Sequence, residues 1–306
     1  MNKCHKNIKS CRKRRDFFLK LISMKKTVAI QGIAGAYHET AARVFFKEKG
    51  EDIDILPRNQ FKDVISAVKK DPNIIGCMAI ENTIAGSLLQ NHELIRESDL
   101  VVVGEQKLRI SLSLAVLPGE SFETITEANS HPIALMQCAD YLNTIPGIKI
   151  VEEEDTALSA KMIAEKNLKG HAAVCSTQAA ELYGLKVLKE EIETNKRNFT
   201  RFLFISDRWV ADALVKSSEI NKSSIVFTLP HSEGSLSKIL TIFYFYNLNL
   251  TKIQSLPILG HEWEYMFYID LTFTDILKYK QGLDAARPLM KELKILGEYK
   301  ETKIIE

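Results

Sequence analysis

Two spacings of apolar residues alternate along this chain, and their order predicts the architecture. Residues 27–31 read as a short buried strand, 38–46 as a helix, 53–56 as a strand, 60–70 as a helix and 76–80 as a third strand. Short apolar runs bounded by turn residues and separated by helical patterns are the mark of βαβ units and a parallel sheet. A second α/β unit begins after residue 100. It has a long strand at 108–117, helices at 134–142 and 155–166, a small-residue strand at 172–175, and a helix at 177–183 that Gly184 ends. The apolar run 203–205 closes this part. Residues 209–222 are polar and carry no strand pattern, so they read as a linker. Beyond them the order strand 224–229, helix 235–245, strands 250–254 and 264–272, helix 281–293 and strand 294–300 is that of a ferredoxin-like βαββαβ unit. Its first helix carries Leu236, Ile239, Leu240 and Phe243 on one face, which is ordinary core packing.

Composition narrows the picture. At 306 residues and 45% hydrophobic, the chain is long enough for two or three domains. The formal net charge of +2 hides an asymmetry. Residues 1–26 hold ten Lys and Arg against one Asp, while the rest carries 31 basic against 38 acidic residues. A mildly acidic body argues against a nucleic-acid-binding face. The head, residues 1–25, reads as a disordered basic extension; its short apolar part is broken by Lys20 and lacks the cleavage site of a signal peptide. No apolar run is long enough to span a membrane. Five cysteines without a CxxC pair fit a reducing, cytoplasmic compartment.

The densest chemistry lies in Asn198-Phe199-Thr200-Arg201-Phe202, at the mouth of the run 203–205. In strand geometry Asn198, Thr200 and Phe202 share one face, while Phe199 and Arg201 point the other way. A neutral donor beside a permanent cation suits an anionic substrate that must lose a poor leaving group. Taken alone, the same residues also describe a plain strand start with a surface ion pair. The turn from Gly32 through Gly35 to Tyr37 joins a strand to a helix, an arrangement whose unpaired N–H groups favour an anion. It lacks the Lys-Ser/Thr of a phosphate loop and the third glycine of a dinucleotide fingerprint. A carboxylate ligand or a simple tight turn are the readings left. Glu81 and Asn82 end the third strand and face opposite sides, Asn82 towards a ligand and Glu81 as its support. Ser130 is the expected N-cap of the helix that follows; a Ser130-His131 hydrolase pair fails for want of a nucleophile-elbow pattern.

Taken together, the motifs resemble the prephenate dehydratases that carry a C-terminal ACT regulatory domain, over about residues 27–273. Gly32…Gly35-Ala36-Tyr37…Ala41-Ala42 is similar to that family's GPxGTYSxxAA, and Ile80-Glu81-Asn82-Thr83…Gly86-Ser87 to its PIENSxxGS. Ser130-His131-Pro132…Gln137-Cys138 resembles SHPQALxQC, and Asp155-Thr156-Ala157, Tyr183-Gly184-Leu185 and Asn198–Phe202 follow in the family's order. Ile33, Ala36, His38 and Ile133 depart from the pattern. The regulatory ESRP reads Gln254-Ser255-Leu256-Pro257, and GALxxxL reads Gly234-Ser235-Leu236…Leu240.

The resemblance implies two α/β subdomains folded like a periplasmic binding protein, with the active site in the cleft, over residues 26–208. The second subdomain would cover roughly 104–190, the linker 209–222 and the ACT domain 223–306. It implies conversion of prephenate to phenylpyruvate, with loss of CO2 and the ring hydroxyl, and with neither cofactor nor metal because aromatisation drives the reaction. Thr200 would donate to the leaving hydroxyl. Asn82, Ser130, Gln137, Arg201, Ser87 and Gly35 would bind the substrate, supported by Glu81, Asn198 and Phe202. Phenylalanine would act as effector at Gly234, Ser235, Leu236 and Ser255 between paired ACT domains, in a homodimer or homotetramer that touches neither nucleic acid nor membrane. Arogenate dehydratase is the alternative within the enzyme class. A solute-binding or sensor protein is the alternative outside it, against which the Thr200-Arg201 pair and the missing export signal count.

Overall fold

A computed structural model describes residues 25–258, 264–302 and 304–305; the basic head falls outside the described residues, apart from Lys25. Three parallel strands, β1 (Lys26–Gln31), β2 (Ile53–Arg58) and β3 (Ile74–Asn82), open the chain with β1 in the middle. The short β4 (Gly86–Ser87) turns back antiparallel on the end of β3, and the helix Leu89–Ser98 leads into β5 (Val101–Arg109). The chain then crosses to a second sheet made of β6 (Ser113–Val116), β7 (Glu127–Ser130), β8 (Lys149–Glu152), β9 (His171–Cys175) and β10 (Lys186–Lys189). It returns as β11 (Phe199–Ser206), which inserts antiparallel between β3 and β5. Two crossings therefore join the subdomains, and they are tied together where the Ile110 N–H donates to the Asn198 carbonyl at 2.7 Å.

This corrects two boundaries. The expected strand 108–117 is two strands, because β5 belongs for its whole length to β11 while the residues after Ser113 pair with β9. The second subdomain's sheet accordingly starts at Ser113 rather than near 104. The expected linker holds the helix Arg208–Leu214 and a 3-10 turn at Ser217–Glu219, with Leu214 and Val215 packed on the first subdomain's core.

The C-terminal unit comprises β12 (Lys222–Thr228), β13 (Asn249–Pro257), β14 (Tyr265–Thr272) and β15 (Glu292–Tyr299), ordered β13-β14-β12-β15, with the helices Ser235–Phe245 and Ile276–Ala286. That is the ferredoxin-like topology. Its sheet carries apolar side chains on both faces. Ile225, Phe227, Ile269 and Leu271 pack with its own helices. Val226, Tyr268, Leu296 and Tyr299 share a core with Ile80, Val102, Leu203 and Ile205 of the first subdomain. Successive side chains on a strand alternate between faces, so one sequence serves two cores. Contact is close enough that a Cβ on Gly297 would lie 2.1 Å from the Val102 carbonyl oxygen. The chain then reaches β16 (Ile304–Ile305), which pairs parallel with the outer edge of β5. Among the described residues no helix is long and apolar enough to cross a membrane.

Candidate active site

β3 and β11 lie side by side with Asn82 opposite Thr200 and Glu81 opposite Arg201, and a β-bulge follows directly, between Arg201 and Phe202. Bulges re-aim side chains at the end of a ladder. Here the pairing sets Asn82 and Thr200 on the cleft side and Glu81 and Arg201 on the opposite side.

On the cleft side the groups are neutral and linked end to end. The Asn82 oxygen accepts from the Ile84 and Ala85 N–H groups at 2.9 and 2.8 Å, which fixes the orientation of its amide. The Asn82 NH2 therefore faces β11, donating to Asn198 Oδ1 at 2.8 Å and to Thr200 Oγ1 at 2.9 Å. The Asn198 NH2 in turn donates to Gln137 Oε1 at 2.8 Å. Gln137 stands on the second subdomain, at the end of the helix Pro132–Gln137, so the chain of amides crosses from one subdomain to the other. Thr200 accepts from Asn82 and keeps its own proton to give away. With its oxygen taken by Asn198, what Gln137 has left to offer a ligand is its NH2 group.

The other residues expected in the site are placed as follows. Ser130 is fully buried and its hydroxyl donates to the Val174 carbonyl at 2.5 Å, bracing β7 against β9. The N-cap of Pro132–Gln137 is His131, whose Nδ1 accepts from the Ile133 N–H. Gly35 has φ +86° and its amide donates to Glu39 Oε2 at 2.9 Å, so that N–H is already used. A Cβ there would sit 3.2 Å from Ala179; the missing side chain lets the turn 32–37 lie on the helix Thr177–Leu182 of the second subdomain. Tyr183 Oη to the Ala34 carbonyl, 2.7 Å, and Thr40 Oγ1 to Gln178 Oε1, 2.6 Å, hold the same contact. Phe202 belongs to the core, its ring meeting His38 edge-on at 5.0 Å. Burial among Phe61 and Phe202 pushes the His38 imidazole down to about 4.

Arg201, Glu81 and Ser87 point away from the cleft, towards the C-terminal sheet. The Arg201 guanidinium donates to Glu105 at 2.7 Å, to Asp270, and to Tyr299 Oη at 3.0 Å. Lys222 Nζ bonds both Glu105 oxygens at 3.0 Å. Glu105, Lys222 and Asp270 are all buried. Burial alone would raise the two carboxylic acids, but Arg201 and Lys222 outweigh it and hold both below the usual carboxylate range. Burial would likewise lower Arg201, and Asp270, Tyr299 and Glu105 outweigh it, so the cation stays charged. Beside this cluster Lys252 Nζ donates to Glu81 Oε2 at 2.6 Å and to Ser87 Oγ at 2.7 Å. The cation expected to hold a substrate carboxylate is thus spent on joining the two domains. Glu105, Lys222, Lys252, Asp270 and Tyr299 were not anticipated; a lone acid inside the apolar run 266–271 is the one signal for Asp270.

In the C-terminal unit Gly234, with φ +71°, opens the helix Ser235–Phe245, and the Ser235 hydroxyl shares a hydrogen bond with Ser232 at 2.7 Å. Leu236 lies with Leu240 and Tyr244 along an open groove on that helix. Alternation along β13 places Lys252, Gln254 and Leu256 on the half-buried face and Ser255 on the exposed one. Leu256 packs into the core shared with the first subdomain.

Comparison with known proteins sets this geometry in a family. The structure of a prephenate dehydratase from Arthrobacter aurescens in complex with L-Phe superposes with a TM-score of 0.79, at 26% identity and 90% coverage of both chains. GqqA, described as a novel type of quorum quenching acylase, superposes equally well, with a TM-score of 0.79, 28% identity, and 90% of this chain and 98% of that one covered. The arogenate dehydratase/prephenate dehydratase 2 of Arabidopsis thaliana, a chloroplastic protein, is 34% identical over 286 residues, which span 89% of this chain and 72% of the relative. The sequence model of the prephenate dehydratase domain matches residues 28–209, from β1 to just past β11, and the chain belongs to the prephenate dehydratase family.

Proposed function

We propose that this enzyme converts prephenate to phenylpyruvate in the cytoplasm, and that Asn82, Gln137, Asn198 and Thr200 form the working face of its site. The observation that carries this is the Asn82–Thr200 hydrogen bond. By donating to Oγ1, Asn82 leaves the threonine proton as the one group aimed outwards, where it meets the departing ring hydroxyl. The ring–carboxylate bond breaks to release CO2, its electron pair enters the ring, and the C–O bond breaks to release hydroxide, which takes a proton to become water. A threonine is too weak an acid to supply that proton outright near neutral pH. Its role is that of a positioned donor, relaying from water. The substrate's carboxylates are then met by neutral donors, the Gln137 amide among them, held in place by Asn198, together with main-chain N–H groups.

The likeness to an acylase raises a different chemistry, which needs an activated nucleophile. Thr200 Oγ1 accepts from an amide and Ser130 Oγ donates to a carbonyl, so neither hydroxyl is paired with a base. The likeness to arogenate dehydratases bears on the substrate instead. Incubating the full chain separately with prephenate and with arogenate, and following phenylpyruvate and phenylalanine, tests the reading. Product from prephenate supports it; product from arogenate alone moves the substrate by one amino group; product from neither overturns it.

The C-terminal unit is proposed to be an ACT domain that binds phenylalanine. The amino acid's carboxylate is assigned to the opening of the helix Ser235–Phe245, next to Gly234, and its ring to the groove beside Leu236, closed by Ser255 of a second copy in a homodimer or homotetramer. The relative solved with L-Phe supports this. Titrating phenylalanine by calorimetry is expected to give heat, and inhibition at the same concentrations; millimolar phenylalanine without either result removes the effector role.

A further inference from the structure

We infer that the C-terminal unit is a working part of the active site: Lys252 and Asp270 are positioning residues that set the Asn82–Thr200 pair through Glu81 and Arg201. The inference rests on the reading of Asn82 and Thr200 as the working face. Asn82 and Thr200 are direct cross-strand partners, and each has one chain neighbour held by the C-terminal sheet. Glu81, before Asn82, takes the Lys252 ammonium at 2.6 Å; Arg201, after Thr200, is gripped by Asp270 and by Tyr299. Lys252 also bonds Ser87 at 2.7 Å, and Ser87 is the partner of Glu81 in the β3–β4 hairpin. One ammonium therefore closes both ends of the turn in which Asn82 accepts from Ile84 and Ala85. The Asp270 and Arg201 side chains are 6% and 10% exposed, so water competes little for that contact, while the 7% exposed Lys252 ammonium meets a Glu81 side chain that is 38% exposed.

Local structure makes the coupling stiff on one side and loose on the other. The bulge after Arg201 interrupts the β3–β11 ladder just where the pair sits, and backbone pairing alone defines the angle of the two side chains poorly there. Hydrogen bonds from the back of the sheet supply the missing constraint. Lys252 and Asp270 face each other in register on β13 and β14. A small displacement of the C-terminal sheet moves Glu81 and Arg201 together, and with them the Thr200 hydroxyl and the Asn82 amide that orients it. Misplacing a reacting group by about 1 Å costs on the order of a hundredfold in rate. Lys252 also lies two residues before Gln254 and shares its face of β13, so anything that shifts that strand reaches the substrate motif by the shortest route.

The test uses the full chain with Lys252→Met, Lys252→Arg and Asp270→Asn. Removal of the ammonium in Lys252→Met is expected to lower kcat at least tenfold with KM changed less than threefold, and Lys252→Arg to restore most of the rate. Asp270→Asn is expected to lower kcat in the same way. Hydrogen exchange supplies a readout that does not depend on turnover: the amides of Thr83, Ile84, Ala85 and Leu88 should exchange at least about tenfold faster in Lys252→Met, while the strands of the second sheet keep wild-type rates. Wild-type kcat in both Lys252→Met and Asp270→Asn, or unchanged exchange at those four amides, overturns the proposal. If the wild type turns over neither substrate, the functional reading fails by itself and hydrogen exchange alone decides the positioning. If Lys252→Met does not fold, Asp270→Asn decides the question by the same two measurements.

Discussion

Thr200 and Arg201 are consecutive residues in two opposite surroundings. Thr200 looks into a set of amides and hydroxyls without a formal charge; Arg201 looks into a buried set of two carboxylates and one ammonium. The two faces of a single strand have divided the work. The neutral face can tighten around a leaving group without first giving up a strong ion pair, because a hydrogen bond between uncharged groups is exchanged at little net cost. The charged face cannot give way locally at all. Removing one partner of a buried ion pair strands the other, whereas moving all of them together costs far less.

Four measurements put that contrast to the test. The largest effect belongs to the neutral face: Thr200→Ala is expected to lower kcat by about 10²–10⁴ with KM nearly unchanged, and Thr200→Ser to keep most of the rate, as steady-state kinetics will show. Stability should barely change in Thr200→Ser. Arg201→Met is the mirror experiment. It leaves Glu105 and Asp270 buried without their shared guanidinium, with Lys222 and the more distant Lys107 to balance them, so a loss of about 3–5 kcal/mol in chemical denaturation is expected. A substitution at Arg201 that removed activity while leaving stability intact would put the guanidinium back in the cleft.

Acid should act on both faces. His38 lies below the cleft side, pushed down to about 4 by burial; His92 lies beneath the C-terminal sheet against Tyr268, pushed down to about 3 by burial and then by Lys252 and Arg201, with Asp270 opposing. The unfolded chain binds these protons near pH 6.5, the folded chain only near 4 and 3, so stability is full above 6.5 and falls as the pH drops below it. Replacing His38 by Gln should flatten the slope between about pH 6.5 and 4 by about 2–3 kcal/mol in total, read from denaturation midpoints against pH. The last expected effect comes from one methyl group. Gly297→Ala drives a Cβ into the Val102 main chain and should cost about 3 kcal/mol or more by overpacking, at the seam between the domains. If the faces are coupled, its kcat also falls, although the added methyl meets Val102 rather than a cleft residue; a purely local defect would leave kcat alone.

Much of this division is legible in the chain. Period-two alternation puts Asn198 and Thr200 on one side and Arg201 on the other, and the same rule separates Asn82 from Glu81. What Arg201 meets is not legible. Its partners Glu105, Asp270 and Tyr299 are 96, 69 and 98 residues away, on strands whose docking depends on tertiary packing that no local pattern records. A cation next to a candidate donor hydroxyl therefore suggests a substrate contact. The split of the expected strand 108–117 has a similar cause. Both halves are apolar and extended, and only their different partners, β11 and β9, separate them. Sequence alone points to Gly35 for its free amide, but the feature that matters at that position is the space its missing side chain leaves for Ala179.

The short β16 has a consequence for how the protein behaves in solution. By pairing with Lys107 and Leu108 it covers one end of the outer rim of a sheet whose other edge is β2. An uncovered rim presents a row of unpaired N–H and C=O groups to any passing strand. Thr302, just before β16, fastens the segment with its hydroxyl on the Glu105 carbonyl, the residue that also holds Arg201. A protease cut near that threonine would leave every cleft residue in place, yet it would open the rim of β5 to pairing between molecules. Preparations clipped there should therefore clump before they lose activity.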